Sequence, residues 1–160
     1  MATYIKNDAD LRKFIQQMSK SMKAPLKKAL DEVAEIVRDM WKAHLKEYWY
    51  DVYLFPENLS EGDRTMETIE SIVKTEVVEH QGQLRVFIHY DTDLINRYTN
   101  WHHNPDAMPY IVEDGDGLTR GHPQASHAMK RTVEWMEQKN VFENTIRKAL
   151  EARGIDIQVF

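Results

Sequence analysis

His102 and His103, with His122 and His127 further along and Asp106 and Asp114 nearby, are the residues whose types could do chemistry. Imidazole and carboxylate groups are zinc ligands, so this loop could serve a metal-dependent hydrolase built on His102, His103 and Asp106. The spacing argues the other way. Adjacent histidines in a loop rarely point at one ion, and no His-Glu-x-x-His occurs. A His-Asn-His nuclease arrangement also fails, because no Asn lies between Asn104 and His127. A solvent-exposed polar loop is the better reading. Asp114-Gly115-Asp116-Gly117 looks like a fragment of a calcium loop. An EF-hand frame begun at Asp114 puts Thr119 where Gly is needed and Ala125 where the bidentate Glu belongs, so a plain turn is expected.

Two further sets carry less. Glu32, Glu35 and Asp39 could be paired carboxylates for acid–base work. Spaced three and four apart among lysines and arginines, they read instead as surface ion pairs on a helix. Trp41, Tyr48, Trp49, Tyr50, Tyr53 and Phe55 form a dense aromatic group flanked by Glu47 and Asp51. Stacking on single-stranded nucleic acid needs aromatics interleaved with basic residues, so that reading is poor. Core packing is the leading expectation and a subunit interface the functional alternative.

The elements that must position these groups are legible in outline. Asn7 or Asp8 can cap a first helix carrying Leu11, Phe14 or Ile15, Met18 and Met22. Pro25 fits the first turn of a second helix, where its missing N–H costs nothing. Leu26, Leu30, Val33, Val37, Met40 or Trp41, and Tyr48 then recur with a helical period to about Tyr50. That helix is roughly 38 Å long and one-sided, so it must lean on a sheet or on a neighbouring subunit. Asp51 to Asp63 reads as loop, and Thr65 to Ser71 as one helical turn or a strand lead-in.

From Val73 the period changes to two. Val73, Thr75 and Val77 alternate with Lys74, Glu76 and Val78, and after Gly82 the alternation resumes as Leu84, Val86, Ile88 and Tyr90. This predicts a hairpin turning at Gly82. Residues 91–125 have no clean period beyond a short helix over Asp106–Glu113 closed by Gly115, and a connection this long is usually functional or flexible. Ser126 can cap a helix carrying Met129, Val133 and Met136. Asn140 with Glu143 resembles a capping box before Phe142, Ile146 and Leu150, Gly154 stops that helix, and Ile155, Ile157 and Val159 could form a final strand.

The whole predicts a single α+β domain over 1–160: a long N-terminal helix, an antiparallel β-sheet with a hairpin, and a C-terminal amphipathic helix. Residues 1–24 could be a helical extension, and 91–125 is a long loop. Zero cysteines exclude disulfides and thiolate metal sites, and fit a cytosolic product without proving one. No apolar run approaches a membrane span, and Met1–Lys6 lacks a signal-peptide core. A net charge of −5 gives no bulk attraction to nucleic acid. The one dense basic cluster, Lys20, Lys23, Lys27 and Lys28, reads as a solvated face.

The order of elements resembles small neck proteins of tailed bacteriophages, the tail-completion or head–tail joining family. Those run as a long N-terminal helix, an Arg-Thr-Gly-x-Leu-x-x-Ser-Ile-like segment, antiparallel strands, a variable loop and a C-terminal amphipathic helix. Here Arg64, Thr65, Ile69, Ser71 and Ile72 are similar to that segment, with Met66 in place of Gly and one residue less between the apolar position and Ser. Ile111–Gly115 and Leu150–Ile155 resemble the family's loop and ending, so the resemblance covers about residues 25–157.

The resemblance implies a structural virion protein without enzymatic activity and without a cofactor. It implies a homo-oligomeric ring, usually a hexamer, between head connector and tail tube, made in the host bacterial cytoplasm and carried in the virion. Genome DNA would pass through its channel without sequence-specific binding, adjoining neck and tail-tube proteins would be its partners, and no membrane is involved. Tyr48, Trp49, Tyr50, Arg64, Trp101, His102 and His103 are then the expected interface residues. The alternatives are the hydrolase above and a small phage or prophage adaptor that binds a protein partner through the same aromatics.

Overall fold

The helical period that begins at Asp8 and the one that follows Pro25 are realised as one helix. A computed structural model describes residues 8–51, 67–95, 106, 108–114 and 125–154. In it α1 runs unbroken over Asp8–Leu45 with Pro25 inside. The expected boundary between residues 24 and 25 is therefore absent. An interior proline removes one helical hydrogen bond and costs about 3 kcal/mol. Continuous burial on both sides opposes that cost: Met22, Pro25, Ala29 and Val33 form one buried stripe. Past Leu45 the helix widens into a π turn, Lys46–Tyr50, closed by the bond from Asp51 N to Lys46 O at 2.9 Å. The wider turn has a packing logic. Trp41, Leu45 and Trp49 recur every four residues, and an under-wound turn keeps such a repeat on one face. All three are buried in one cluster with Ile69, Ile72, Val112 and Ala128.

One helical turn, α2 (Glu67–Glu70), leads into the hairpin. Of the segment Arg64–Ile72, the described apolar and hydroxyl residues are core: Ile69, Ser71 and Ile72 are buried, and Ser71 Oγ donates to Thr68 O at 2.8 Å. Arg64 lies outside the described residues.

Strand β1 (Ile72–Lys74) pairs antiparallel with β4 (Ile88–Tyr90), and β2 (Val78–His80) with β3 (Gln83–Arg85). The hairpin and its turn match the period-two expectation. Gln81 and Gly82 both have positive φ, 51° and 76°, as a two-residue type I′ turn requires. The alternation does not run straight through, however. The register passes from Lys74↔Ile88 to Val78↔Arg85, so residues 75–77 face only 86–87, an extra residue on the first strand. Thr75 N donates to Phe87 O at 2.9 Å, while Phe87 N turns to the Thr75 side-chain Oγ1 at 3.0 Å. This β-bulge exchanges the two faces of the strand. Ile72 before it and Val77 after it are both buried, and Val78 is exposed.

The bulge also decides how the hairpin lies on α1. Lys74 pairs with Asp31 and Glu35, and Glu79 pairs with Lys23, although Lys74 and Glu79 have opposite parity. With Lys42 bonded to Glu70 at 3.2 Å, the chain from 70 to 79 climbs α1 from its C-terminal half toward its N-terminal half. A lone two-stranded ribbon is marginal in water, so this packing on α1 is what stabilises it.

After a 3₁₀ turn, Thr92–Leu94, come α3 (Met108–Asp114), α4 (Ala128–Gln138) and α5 (Val141–Glu151). The architecture is α+β. Helices α4 and α5 both pack on α1. One expectation fails here. Asn140 does not build a capping box: it is left-handed at φ 48° and makes no side-chain cap bond. A side chain that caps its own helix in a capping box needs extended backbone at the N-cap, whereas the left-handed Asn140 closes the α4–α5 turn, its N–H on Glu137 O at 3.0 Å. The apolar stripe Met129–Val133 is not the core face. Ala128 and Thr132 are buried, while Met129, Val133 and Phe142 are exposed. Small side chains let α4 approach α1 closely, and that turns the larger apolar ones outward.

Candidate assembly site

The aromatic end of α1, the last turn of α3 and the first turn of α4 meet around one carboxylate. Glu113 Oε1 accepts from Trp41 Nε1 at 2.7 Å and from the Tyr90 hydroxyl at 2.7 Å. Its Oε2 accepts from Met129 N at 3.0 Å. Trp41 and Tyr90 also meet edge to face, centroids 5.0 Å apart. Polar groups withdrawn from water need hydrogen-bond partners, and here one carboxylate serves α1, β4 and α4 together. It also places negative charge on free N–H groups at a helix start, where the dipole favours it.

The capping is reciprocal. Ser126 N donates to Val112 O at 2.9 Å and His127 N to Glu113 O at 3.1 Å, which satisfies the end of α3. Ser126 Oγ accepts from Ala128 N at 3.2 Å, so the expected Ser126 cap exists, but the N-cap position belongs to His127, left-handed at φ 47°. The start of α4 is thus completed by a side chain sixteen residues earlier.

A second seam lies one turn further along. Thr132 Oγ1 donates to Ala128 O at 2.7 Å and sits 2.9 Å from His44 Nδ1. The hydroxyl has one proton and Ala128 O holds it, so His44 Nδ1–H is the donor to Thr132. Burial lowers the His44 pKa below its ordinary 6.5; Glu47 pulls it up and Arg131 pushes it down. The Arg131 guanidinium lies 3.9 Å over the Tyr48 ring and its Nε donates to Ser126 O at 3.0 Å.

The structure thus places the expected interface residues unequally. Trp49 is 5% exposed and belongs to this chain's core. Tyr48 is half-buried beneath Arg131. Tyr50 ends the π turn. Arg64, Trp101, His102 and His103 lie outside the described residues, as do His122, the end of the calcium-like turn and the expected strand over 155–159. Asp106, Asp114 and His127 are exposed, and among the described residues no three or more His, Asp or Glu side chains gather to hold a metal ion. Sequence reasoning misses the roles of Glu113, Tyr90, Arg131 and Thr132; a lone Glu after Ile111-Val112 in a short helix is the one weak signal for the first.

The surface carries more large apolar side chains than the core arrangement needs. Val78 and Phe87 are exposed on the hairpin, Tyr110 on α3, and Met129, Val133 and Phe142 on α4 and α5. Among the described residues no helix is long and apolar enough to cross a membrane. The family model of YomN matches residues 8–152. No curated protein and no solved structure matches the chain.

Proposed function

Because this chain belongs to the YomN family, which is phage-related, we propose that it is a structural protein of the phage neck. It acts by assembling into a ring that joins the head connector to the tail and lets the genome pass. Catalysis and cofactors have no part in this reading.

The observation that carries it is the distribution of exposed apolar side chains. A ring contact is heterologous, so each subunit needs two different surfaces, one for each neighbour. The exposed apolar residues include two such groups, Val78 and Phe87 on the hairpin and Met129, Val133 and Phe142 on the C-terminal helices, with Ile36, Leu94 and Tyr110 exposed outside them. The element order, long helix, hairpin, connection and C-terminal helices, supports the same reading. A net charge of −5 suits a channel through which DNA slides, since phosphate affinity comes from Lys and Arg.

Met129→Glu with Val133→Glu tests the reading, because both side chains are exposed on α4. The variant is expected to fold and to fail in joining heads to tails. Normal joining by that variant would overturn the assignment of this face to a ring contact. A chain that instead captures one host protein as a stable monomer would be an adaptor.

A further inference from the structure

The β-bulge decides what the hairpin shows to solvent. Continued straight from Lys74↔Ile88, the ladder would set Glu79 opposite Gln83 on the outward face and turn Val78 inward. The extra residue reverses this. Glu79 stands opposite Leu84 and pairs with Lys23 on α1, while Val78 stands outward opposite Arg85, and His80 opposite Gln83. On the second strand exposed Arg85, Phe87 and His89 alternate with half-buried Leu84, Val86 and Ile88. The paired outward positions thus carry Val78 and Phe87 beside Arg85, His80 and His89, and no carboxylate, in a chain of net charge −5; Glu76 sits within the bulge. Arg85 donates to Gln83 Oε1 at 2.9 Å and has no carboxylate partner among the described residues.

The C-terminal helices show the complement. Met129, Val133 and Glu137 recur every four residues along one exposed stripe of α4. Lys130 and Glu134 beside them pair with each other at 4.0 Å, and Glu143 pairs with Arg147 at 2.8 Å on α5. Lys139 follows Glu137 by two residues, about half a turn round the helix. Phe142 shares its face of α5 with Thr145, Ile146 and Ala149, none of them charged. The charge in line with the apolar stripe is therefore Glu137, which is exposed and has no cation partner among the described residues. We propose that the hairpin face of one copy docks on the α4–α5 face of the next, Val78 and Phe87 against Met129 and Val133, with Arg85 beside Glu137. The proposal rests on the ring reading and adds which face meets which. Opposite charge selects this pairing over the symmetric ones. Hairpin on hairpin sets Arg85 toward Arg85 about the two-fold axis, helix face on helix face sets Glu137 toward Glu137, and like charges across a contact oppose it.

Light scattering on two full-length variants, alone and mixed, tests this. Phe87→Glu spoils the hairpin face, and Met129→Glu with Val133→Glu spoils the helix face; all three positions are exposed, so far-ultraviolet dichroism should match the parent. Each variant alone is expected at 18.9 kDa, and the equimolar mixture as a pair of one copy of each, because one intact face of each kind remains. A dimer of either variant by itself overturns the proposal, since a face would then pair with its own kind. A parent that forms large species while the mixture stays single overturns the pairing alone; a parent that stays single overturns the ring reading with it. Charge reversal gives the second arm. Arg85→Glu and Glu137→Arg should each weaken assembly of the parent by about tenfold, and the two together should restore it to within about threefold. Single reversals without effect, or a double variant no better than the singles, overturn the Arg85–Glu137 contact.

Discussion

Trp41 Nε1 and Glu113 Oε1 meet at 2.7 Å across 72 positions of sequence. The contact joins the long helix to the only described element between residues 96 and 124 that has a full helical turn. Glu113 holds two further donors, so the indole is one of three supports and its loss should be felt without collapse.

Trp41→Phe removes the indole donor and keeps an aromatic ring against Tyr90. Losing a bond to a charged acceptor predicts a destabilisation of about 2 kcal/mol in urea unfolding, with the slope unchanged. An unchanged midpoint would show that the bond contributes nothing net.

Pro25→Ala separates a continuous helix from a broken one. Inside a helix, alanine restores a backbone hydrogen bond, and the gain of about 3 kcal/mol is offset in part by lost burial of the ring. A net stabilisation of about 1 kcal/mol and increased helical dichroism are expected. Destabilisation would mean that Pro25 begins a helix, where proline is favoured.

The outline of α1 and of the hairpin is legible in the sequence because each rests on local periodicity, and Gly82 marks the turn by its backbone freedom. The bulge at Glu76–Val77 is not, because Val77 and Val78 are alike and only the partner strand decides which faces in. The same limit explains Met129 and Val133. Apolar spacing identifies a face of α4, but the closer approach through Ala128 and Thr132 decides that the face points outward. The carboxylate hub is invisible for a different reason. The partners of Glu113 lie 72, 23 and 16 residues away, so no window of sequence contains it.

The hairpin turn supplies a further test. Gly82 has φ +76° and open space where a methyl group would stand, so Gly82→Ala costs backbone strain alone, about 1 kcal/mol. Gln81, at φ 51°, holds a left-handed position that asparagine tolerates better. Gln81→Asn should therefore stabilise by roughly a few tenths of a kcal/mol. Paired urea curves with opposite shifts would confirm the type I′ turn, and shifts of the same sign would contradict it.

His44 predicts a pH dependence of definite sign. Burial holds its folded pKa below 6.5, so the folded state binds the proton less well than the unfolded chain. Its contribution is fully present above pH 6.5 and is lost as the pH falls toward the folded value. His44→Asn, which can still donate to Thr132 Oγ1, should show a smaller loss of stability than the parent between about pH 7 and pH 5. Parallel pH profiles for the two proteins would rule out a role for His44.

The most direct test of assembly is the mass of the purified chain by light scattering across a range of concentrations, with negative-stain images of any large species. The expected mass is several times the 18.9 kDa subunit, with closed rings that Met129→Glu with Val133→Glu, or Phe87→Glu alone, reduces to single subunits. A mass that stays at 18.9 kDa at every concentration would contradict ring assembly.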